Sequence, residues 1–131
     1  MTKSITPFLM YVGEAEAAMQ FYASLFPGAK IDITERFDGT EPGKPGPIKA
    51  ATFTFKGQTL MFFDSPAKHA FTFTASISLF VECDSAAEVD QLFAKLSEGG
   101  QVFMPLDAYP FAKRFAWVAD QFGVSWQLRY A

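Results

Sequence analysis

The chain repeats its own pattern once, and this internal duplication constrains the fold more than any other feature. In each half a strand-like run precedes one helix-like segment, and three further strand-like runs follow it. The halves span about residues 5–64 and 76–131, joined by a linker at about 65–75, so the period is near 65 to 70 residues. That period is too long for a solenoid repeat, and two copies indicate a duplicated half-domain. The sequence predicts a single α+β domain, 1–131, of two βαβββ modules whose curved sheets form a barrel-like cavity.

Two amphipathic segments, one in each half, predict the helices. EAEAAMQFYASLF at 14–26 and SAAEVDQLFAKLSEGG at 85–100 both carry apolar residues at helical spacing. Ser85 and Glu88 form a capping box at the start of the second segment. The predicted strands are 8–12, 30–37, 48–55 and 58–63 in the first half, and 76–81, 101–104, 113–119 and 124–130 in the second.

The two halves match in register, which relates each position in one module to a position in the other. The valine before each helix and the glycine of each last hairpin provide the alignment. The matched pairs are Val12 with Val81, Gly57 with Gly123, and Met61 with Gln127.

The last predicted strand has one apolar face and one polar face. Side chains alternate along a strand, so three polar residues share the face opposite the core. The apolar set is Trp126, Leu128 and Tyr130, and the polar set is Ser125, Gln127 and Arg129. A polar face in this position either meets water or lines a cavity.

The composition excludes several classes of protein. Eleven basic and 14 acidic residues give a formal charge of −3, and no basic run occurs, so a nucleic-acid or anionic-membrane partner is not expected. Cys83 is the only cysteine, which rules out an intrachain disulfide and favours a reducing, cytoplasmic setting. No run approaches the roughly 20 apolar residues of a membrane span, and none at the N-terminus resembles a signal peptide.

Three stretches of the sequence carry a resemblance to a known family. YVGEAEAAMQFYASLFPGAKI, SISLFVECDSAAEVDQLFAKLSEGG and AWVADQFGVSWQL resemble the vicinal oxygen chelate superfamily of glyoxalases, bleomycin-resistance proteins and extradiol dioxygenases. Within it the chain is similar to the PhnB-like branch, often labelled 3-demethylubiquinone-9 3-methyltransferase. The ending D-x-F-G-V-x-W-Q is the most specific part. The resemblance implies the glyoxalase fold, an internal cavity and a homodimer.

Metal-dependent members of the superfamily bind a divalent ion through inward-facing His and Glu side chains on four strands. Counted from the flanking motifs, these positions fall on Pro7, Met61, Ser76 and Gln127, none of which is a carboxylate or an imidazole. His69, the only histidine, lies in the linker. We therefore expect no metal and no other cofactor.

The methyltransferase label is not supported by the residues. Methyl-donor sites commonly use a glycine-rich turn between a strand and a helix. The only glycine pair, Gly99-Gly100, follows the second helix, where it caps the helix instead of holding a ligand. Methyltransferase activity is therefore not expected.

The inward faces of the four strands predict a pocket with apolar walls and a few polar groups, which is typical of a small-ligand site. In the alternative interpretation, Ser76, Ser78 and Gln127 bond one another and ordered water and close a solid core. The candidate ligand-binding residues are Tyr11, Met61, Phe63, Ser76, Ser78, Gln127 and Arg129.

Three functions remain open at this stage. The first is a metal-free protein that binds a small molecule, comparable to the resistance proteins that sequester a drug. The second is a metal-dependent enzyme of the lyase, isomerase or dioxygenase type. The third is a metal-free enzyme that polarises its substrate with Tyr11, Gln127 or Arg129. Trp117 and Trp126 are interpreted as core residues, and the Gly/Pro-rich stretch 38–47 as a loop.

Overall fold

The computed structural model describes residues 1–39 and 41–131. The chain divides into two compact units, Met1–His69 and Ala70–Ala131, and the boundary falls inside the predicted linker. Each unit contains one of the two predicted modules. None of the helices in the described part of the chain is long and apolar enough to cross a membrane.

The first module contains one helix and a four-stranded mixed sheet. In the sheet the order is β1-β4-β3-β2, with β1 parallel to β4 and the other pairs antiparallel. The elements are β1 (Phe8–Tyr11), α1 (Ala15–Leu25), β2 (Lys30–Arg36), β3 (Ile48–Phe55) and β4 (Gln58–Asp64).

The second module repeats this arrangement. Its sheet has the order β5-β8-β7-β6, again with the first strand parallel to the last and the other pairs antiparallel. The elements are β5 (Leu79–Glu82), α2 (Ala86–Leu96), β6 (Gln101–Tyr109), β7 (Ala112–Ala119) and β8 (Ser125–Tyr130).

The prediction of an α+β fold with two βαβββ modules is confirmed. Both helices and all eight strands occur in the predicted order. Among the described strands, hydrogen-bonded pairing stays within each module, which gives two separate four-stranded sheets.

The core of the first module lies between α1 and one face of its sheet. Tyr22 on α1 is fully buried and meets Phe53 and Phe62 through its ring, with centroid separations of 6.4 and 6.0 Å. Because aromatic side chains bury large apolar areas, this cluster supplies much of the hydrophobic stabilisation of the module.

Asp64 connects three elements of the first module from inside this core. Its Oδ1 accepts a hydrogen bond of 2.9 Å from the backbone N–H of Ala15, at the start of α1. Its Oδ2 accepts one of 2.8 Å from the N–H of Ile48, at the start of β3. A carboxylate at a helix N-terminus also meets the positive end of the helix dipole. Asp64 therefore lies on the helix face of β4, opposite Met61, as predicted.

The second module packs α2 against β7 and β8. Ser85 caps the helix by accepting a hydrogen bond from the N–H of Glu88 at 3.1 Å, which confirms the predicted cap. Arg114 on β7 donates from Nε to the Asp90 carboxylate at 2.7 Å and joins the sheet to the helix surface.

Strand β6 is longer than predicted. The prediction ended at residue 104, directly before a proline, yet the strand continues through Pro105 to Tyr109. β6 is an edge strand that pairs only with β7 among the described strands, and its register shifts at several points. Proline lacks an N–H donor and is tolerated on such an edge, so it does not end the strand.

Candidate functional site

Gln127 lies in the middle of the second sheet, on β8 between β5 and β7. It pairs with Phe80 on one side and Trp117 on the other. Its neighbours Trp126 and Leu128 are buried on the opposite face. We call the face that carries Gln127 the open face of the second module; its residues are Ser78, Phe80, Glu82, Trp117, Ser125, Gln127 and Arg129.

A chain of hydrogen bonds crosses the open face. The indole Nε1 of Trp117 donates to the Oγ of Ser125 at 2.8 Å, and Ser125 lies 2.7 Å from the Oγ of Ser78. Gln127 donates from Nε2 to the same Ser78 oxygen at 3.3 Å. Gln127 is half-buried, and its side chain makes no other hydrogen bond in the described chain.

The predicted network of serines and Gln127 therefore forms in part. Ser78 and Gln127 are hydrogen-bonded to each other, as predicted. The third member of the network is Ser125, whereas the prediction named Ser76. The network is enclosed by protein at Ser125, which is buried, whereas the side chain of Gln127 is partly exposed.

Arg129 and Glu82 form an ion pair at one end of the open face. Arg129 donates from Nε to Oε2 of Glu82 at 3.2 Å and from Nη2 to Oε1. The guanidinium also lies over the ring of Phe80, 5.3 Å from its centroid. The positive charge of Arg129 is thus balanced by a carboxylate and supported by an aromatic ring.

The D-x-F-G-V-x-W-Q motif builds the turn that leads into β8. Oδ1 of Asp120 accepts hydrogen bonds from the N–H groups of Phe122 and Val124 at 2.9 and 3.1 Å, and Oδ2 accepts one from Trp126 Nε1 at 2.9 Å. Gly123 has φ +93°, which favours glycine at this turn. The motif therefore has a structural role, since it fixes the start of the strand that carries Gln127.

The other candidate residues do not lie on the open face of the second module. Met61 and Phe63 lie on the corresponding face of the first sheet, where Phe63 approaches Phe8 with 5.6 Å between ring centroids. Ser76 precedes β5, is exposed and bonds the Thr74 hydroxyl at 2.8 Å, so it does not join Ser78.

The predicted placement of Tyr11 on a cavity face is wrong. Tyr11 is 4% exposed, stacks on Phe62 at 5.5 Å, and lies 3.2 Å from the Tyr22 hydroxyl of α1 through its own hydroxyl. It therefore belongs to the core between the sheet and α1. Phe8, which is 54% exposed, lies instead on the face of the sheet that was predicted for Tyr11.

A three-residue alignment error explains this result. Strand pairing matches Leu9 with Phe62 and Val81 with Leu128, so Leu9 is the counterpart of Val81. The sequence alignment instead matched Val81 with Val12. A slip by an odd number of residues moves every side chain of a strand to the other face.

In neither module do the side chains at the corresponding strand positions fit a metal of the kind that glyoxalase-type enzymes bind. The strand partners of Met61 and Gln127 are Phe8 and Phe80, in place of the Pro7 and Ser76 counted from the sequence. A thioether, an amide and two phenyl rings offer neither a carboxylate nor an imidazole. In the described ranges, no group of three or more His, Cys, Asp or Glu could hold a metal ion.

Cys83 is not suited to nucleophilic catalysis. Burial raises the pKa of its thiol to about 12, and the nearby carboxylates of Glu88 and Glu82 add to this effect. The thiol therefore stays protonated at neutral pH.

The sequence reasoning placed Ser125 on the polar face of its strand but missed Trp117, which donates a hydrogen bond to it. Trp117 was interpreted as a core residue, and its neighbours in the strand, Ala116 and Val118, are apolar as well. The signal was available in the hairpin register, since the pairing that sets Ala119 opposite Ser125 also sets Trp117 opposite Gln127.

A separate cavity lies in the first module, beside the start of α1. It has a volume of about 250 Å³ and is bordered by Glu16, Asp64 and the loop that joins β2 to β3. Arg36 holds the end of this loop: it donates to the carbonyl of Gly46 at 2.9 Å and to both carboxylate oxygens of Glu16 at 3.0 and 2.8 Å. The ion pair lowers the pKa of Glu16.

Comparison with known proteins relates the whole chain to one family. The family model described as 3-demethylubiquinone-9 3-methyltransferase matches residues 3–129. The solved structure of a PhnB protein from Bacillus cereus, which bears that methyltransferase name provisionally, is 49% identical, with a TM-score of 0.89 and coverage of 98% of this chain and 100% of that one. A protein from Pseudomonas aeruginosa is 29% identical, with a TM-score of 0.83 and 98% coverage of both chains.

More distant structures share the fold alone. A glyoxalase/bleomycin resistance protein/dioxygenase from Nocardioides is 18% identical, with a TM-score of 0.54 and coverage of 99% of this chain and 85% of that one. No protein with a curated description matches the chain.

Proposed function

Because this chain belongs to the 3-demethylubiquinone-9 3-methyltransferase family of PhnB-like, glyoxalase-fold proteins, we propose that it binds a small molecule on the open face of its second module without a metal ion. The observation that carries the proposal is the half-buried amide of Gln127, which is bonded on one side to Ser78 and open on the other. A polar group in this position, among aromatic side chains, is the usual make-up of a ligand site.

The side chains around Gln127 suit the binding of an organic molecule. Phe80 is 50% exposed and Trp117 is half-buried, so both offer ring surface beside the amide. Apolar contact supplies affinity, and the small number of polar groups fixes the orientation of the ligand. Arg129, paired with Glu82, stabilises the edge of the face in this proposal and does not act as a free anion receptor.

The absence of a metal follows from the donor types at the strand positions. Phe8, Met61, Phe80 and Gln127 occupy those positions, and the only carboxylate of the open face, Glu82, is engaged by Arg129. The rival function, a metal-dependent lyase, isomerase or dioxygenase, would need ligands from elsewhere. The methyltransferase name is a family label, and Gly99-Gly100 follows α2 at its C-terminus.

The proposal includes a homodimer in the cytoplasm. Phe8 and Met61 are exposed apolar side chains on one face of the first sheet, and a second copy of the chain would cover them. Two-fold pairing is the commonest way in which proteins close such surfaces. The buried, protonated thiol of Cys83 is compatible with a reducing compartment.

A thermal-shift screen against metabolites and antibiotics, run in buffer with a chelator, tests the function. A ligand that binds only the folded state raises the unfolding temperature. The expected hits stabilise the wild type and lose their effect in Gln127→Leu. The matched control is Gln91→Leu, which makes the same change at an exposed position of α2 and should respond like the wild type.

Two results would overturn the proposed function. One is a set of hits that act only after a divalent metal is added, which would favour the enzyme of the metal-dependent type. The other is one equivalent of Zn, Ni, Fe or Mn per chain in protein purified without chelator, measured by elemental analysis. Hits that are unaffected by Gln127→Leu would place the site elsewhere on the molecule.

A further inference from the structure

The directions of the hydrogen bonds on the open face leave the hydroxyl proton of Ser78 without an acceptor in the network. The indole N–H of Trp117 can only donate, so the oxygen of Ser125 accepts from it. Ser125 is 2% exposed, and in the described chain the only acceptor within reach of its hydroxyl proton is Ser78. Ser125 therefore donates to Ser78. The Ser78 oxygen then accepts from both Ser125 and Gln127, and its own O–H remains available for a ligand.

The amide of Gln127 adds two further groups beside this hydroxyl. One of its N–H bonds is used on Ser78, which leaves a second N–H donor and the carbonyl acceptor. The face thus presents two donors and one acceptor close together. A carbonyl oxygen can accept from the donors, while an adjacent N–H of the same ligand can donate to the Gln127 carbonyl.

The charge of the open face is balanced. Its cation, Arg129, is held by the carboxylate of Glu82 through two hydrogen bonds. An anionic ligand would have to compete with Glu82 for this guanidinium, and a cationic ligand would have to compete with Arg129 for the carboxylate. The site is therefore matched to an uncharged partner.

The aromatic rings beside Gln127 indicate the shape of the apolar part of the ligand. Phe80 and Trp117 are the strand neighbours of Gln127 on either side, and Phe103 packs against Trp117 with 5.1 Å between ring centroids. From this arrangement we infer that the open face binds a flat, uncharged carbonyl compound of the amide or lactam class, held by Ser78 and Gln127. The inference rests on the proposed function and specifies its ligand class.

Three probes with the same ring body but different charge test the class: 2-naphthamide, 2-naphthoate and 2-naphthamidinium. Titrations of the full chain are followed by NMR of the Gln127 side-chain amide and the Trp117 indole N–H. The neutral amide is expected to bind at least about fivefold more tightly than either ion, because an ion loses hydration on the face and finds no free counter-charge, since Arg129 and Glu82 are paired with each other.

Two variants examine the named groups. Ser78→Ala should weaken the naphthamide complex about three- to tenfold, which is the range for one lost hydrogen bond, while Ser24→Ala on the exposed surface of α1 leaves it unchanged. Glu82→Gln changes an exposed side chain and removes the carboxylate that neutralises Arg129. The variant should therefore bind naphthoate about tenfold more tightly than the wild type. Glu82→Gln keeps the test valid if Ser78→Ala fails to fold.

The outcomes separate this inference from the proposed function. Wild-type preference for naphthoate or naphthamidinium, abolished by Gln127→Leu, would reject the ligand class and retain the binding function. Equal binding of all three probes, or unchanged naphthoate affinity in Glu82→Gln, would also reject it. If none of the probes shifts the Gln127 and Trp117 signals, the ligand class is rejected, and the chelator-buffered screen decides the function independently.

Discussion

Asp120 and Trp126 are joined by a hydrogen bond inside the second module, with 2.9 Å between Trp126 Nε1 and Asp120 Oδ2. Both side chains are buried, and the other carboxylate oxygen of Asp120 holds the backbone of the turn before β8. The most specific motif of the sequence therefore acts on the fold. Its effect on function is indirect, because this turn determines where β8 begins and hence where Gln127 lies.

Asp120→Asn should destabilise the protein by about 1–3 kcal/mol. If the oxygen of the new amide still accepts the backbone hydrogen bonds of the turn, the NH₂ group takes the place of Oδ2 and faces the indole N–H of Trp126. Both groups are donors, so the hydrogen bond to Trp126 is lost. Chemical denaturation followed by tryptophan fluorescence measures the loss. Asp32→Asn on the exposed surface of β2 is the control and should change the free energy of unfolding by less than about 0.5 kcal/mol. Equal stability of the two variants would contradict this role of Asp120.

The sequence predicted the sheet faces correctly where one face of a strand is polar. In β8, Ser125, Gln127 and Arg129 alternate with large apolar residues, so the two faces can be told apart. In β1 the residues Phe8 to Tyr11 are all apolar, and alternation carries no information about which ones face the helix. The face of Tyr11 then depended on the alignment of the modules, which was wrong by three residues.

The site was predicted in part for a similar reason. Ser78, Gln127 and Arg129 are polar residues in apolar strands and are visible from the sequence. Trp117 is surrounded by apolar residues in its strand, at 115–116 and 118–119, so the sequence does not show which face it is on. The pairing of Arg129 with Glu82 depends on the register of parallel strands far apart in the chain. Such long-range registers are fixed by packing and not by local pattern.

The ion pair of Glu16 and Arg36 should give a small pH dependence to stability. Because the pKa of Glu16 is lowered in the folded state, its contribution is complete above the ordinary glutamate pKa of about 4.3 and is lost as the pH falls through the lowered value. The pair is partly exposed, so the contribution is at most about 1 kcal/mol.

Glu16→Gln tests this contribution. At pH 7 the variant should be less stable than the wild type by up to about 1 kcal/mol, and the difference should be smaller at pH 3 and in 1 M salt. Urea denaturation at both pH values measures it, with Glu14→Gln at an exposed position as the control. A difference that persists at low pH would mean that the carboxylate charge is not its cause.

The chain should sediment as a homodimer, at about twice its mass of 14.5 kDa, at micromolar concentration. Phe8→Glu places a charge on an exposed apolar position of the first sheet and should raise the dimer dissociation constant at least about tenfold. Phe71→Glu, at another exposed phenylalanine, is the matched control. A monomer of the wild type at this concentration would contradict the dimer.

Gln127→Leu should affect ligand binding strongly and stability weakly. The change keeps the volume and strand position of the side chain but removes its hydrogen bond to Ser78. Ser78 remains bonded to Ser125, and water can serve the open side of the face, so the free energy of unfolding should fall by less than about 1 kcal/mol.

Denaturation of Gln127→Leu beside the wild type therefore distinguishes a ligand site from a sealed polar core before any ligand is known. In a sealed core, removal of the amide would leave the serine hydroxyls without a partner or water, at a cost of roughly 1–3 kcal/mol. The control Gln91→Leu corrects for the general effect of replacing an amide by an apolar group. A loss in the higher range for Gln127→Leu alone would show that Gln127 stabilises the sheet, and the binding site would then have to lie elsewhere on the molecule.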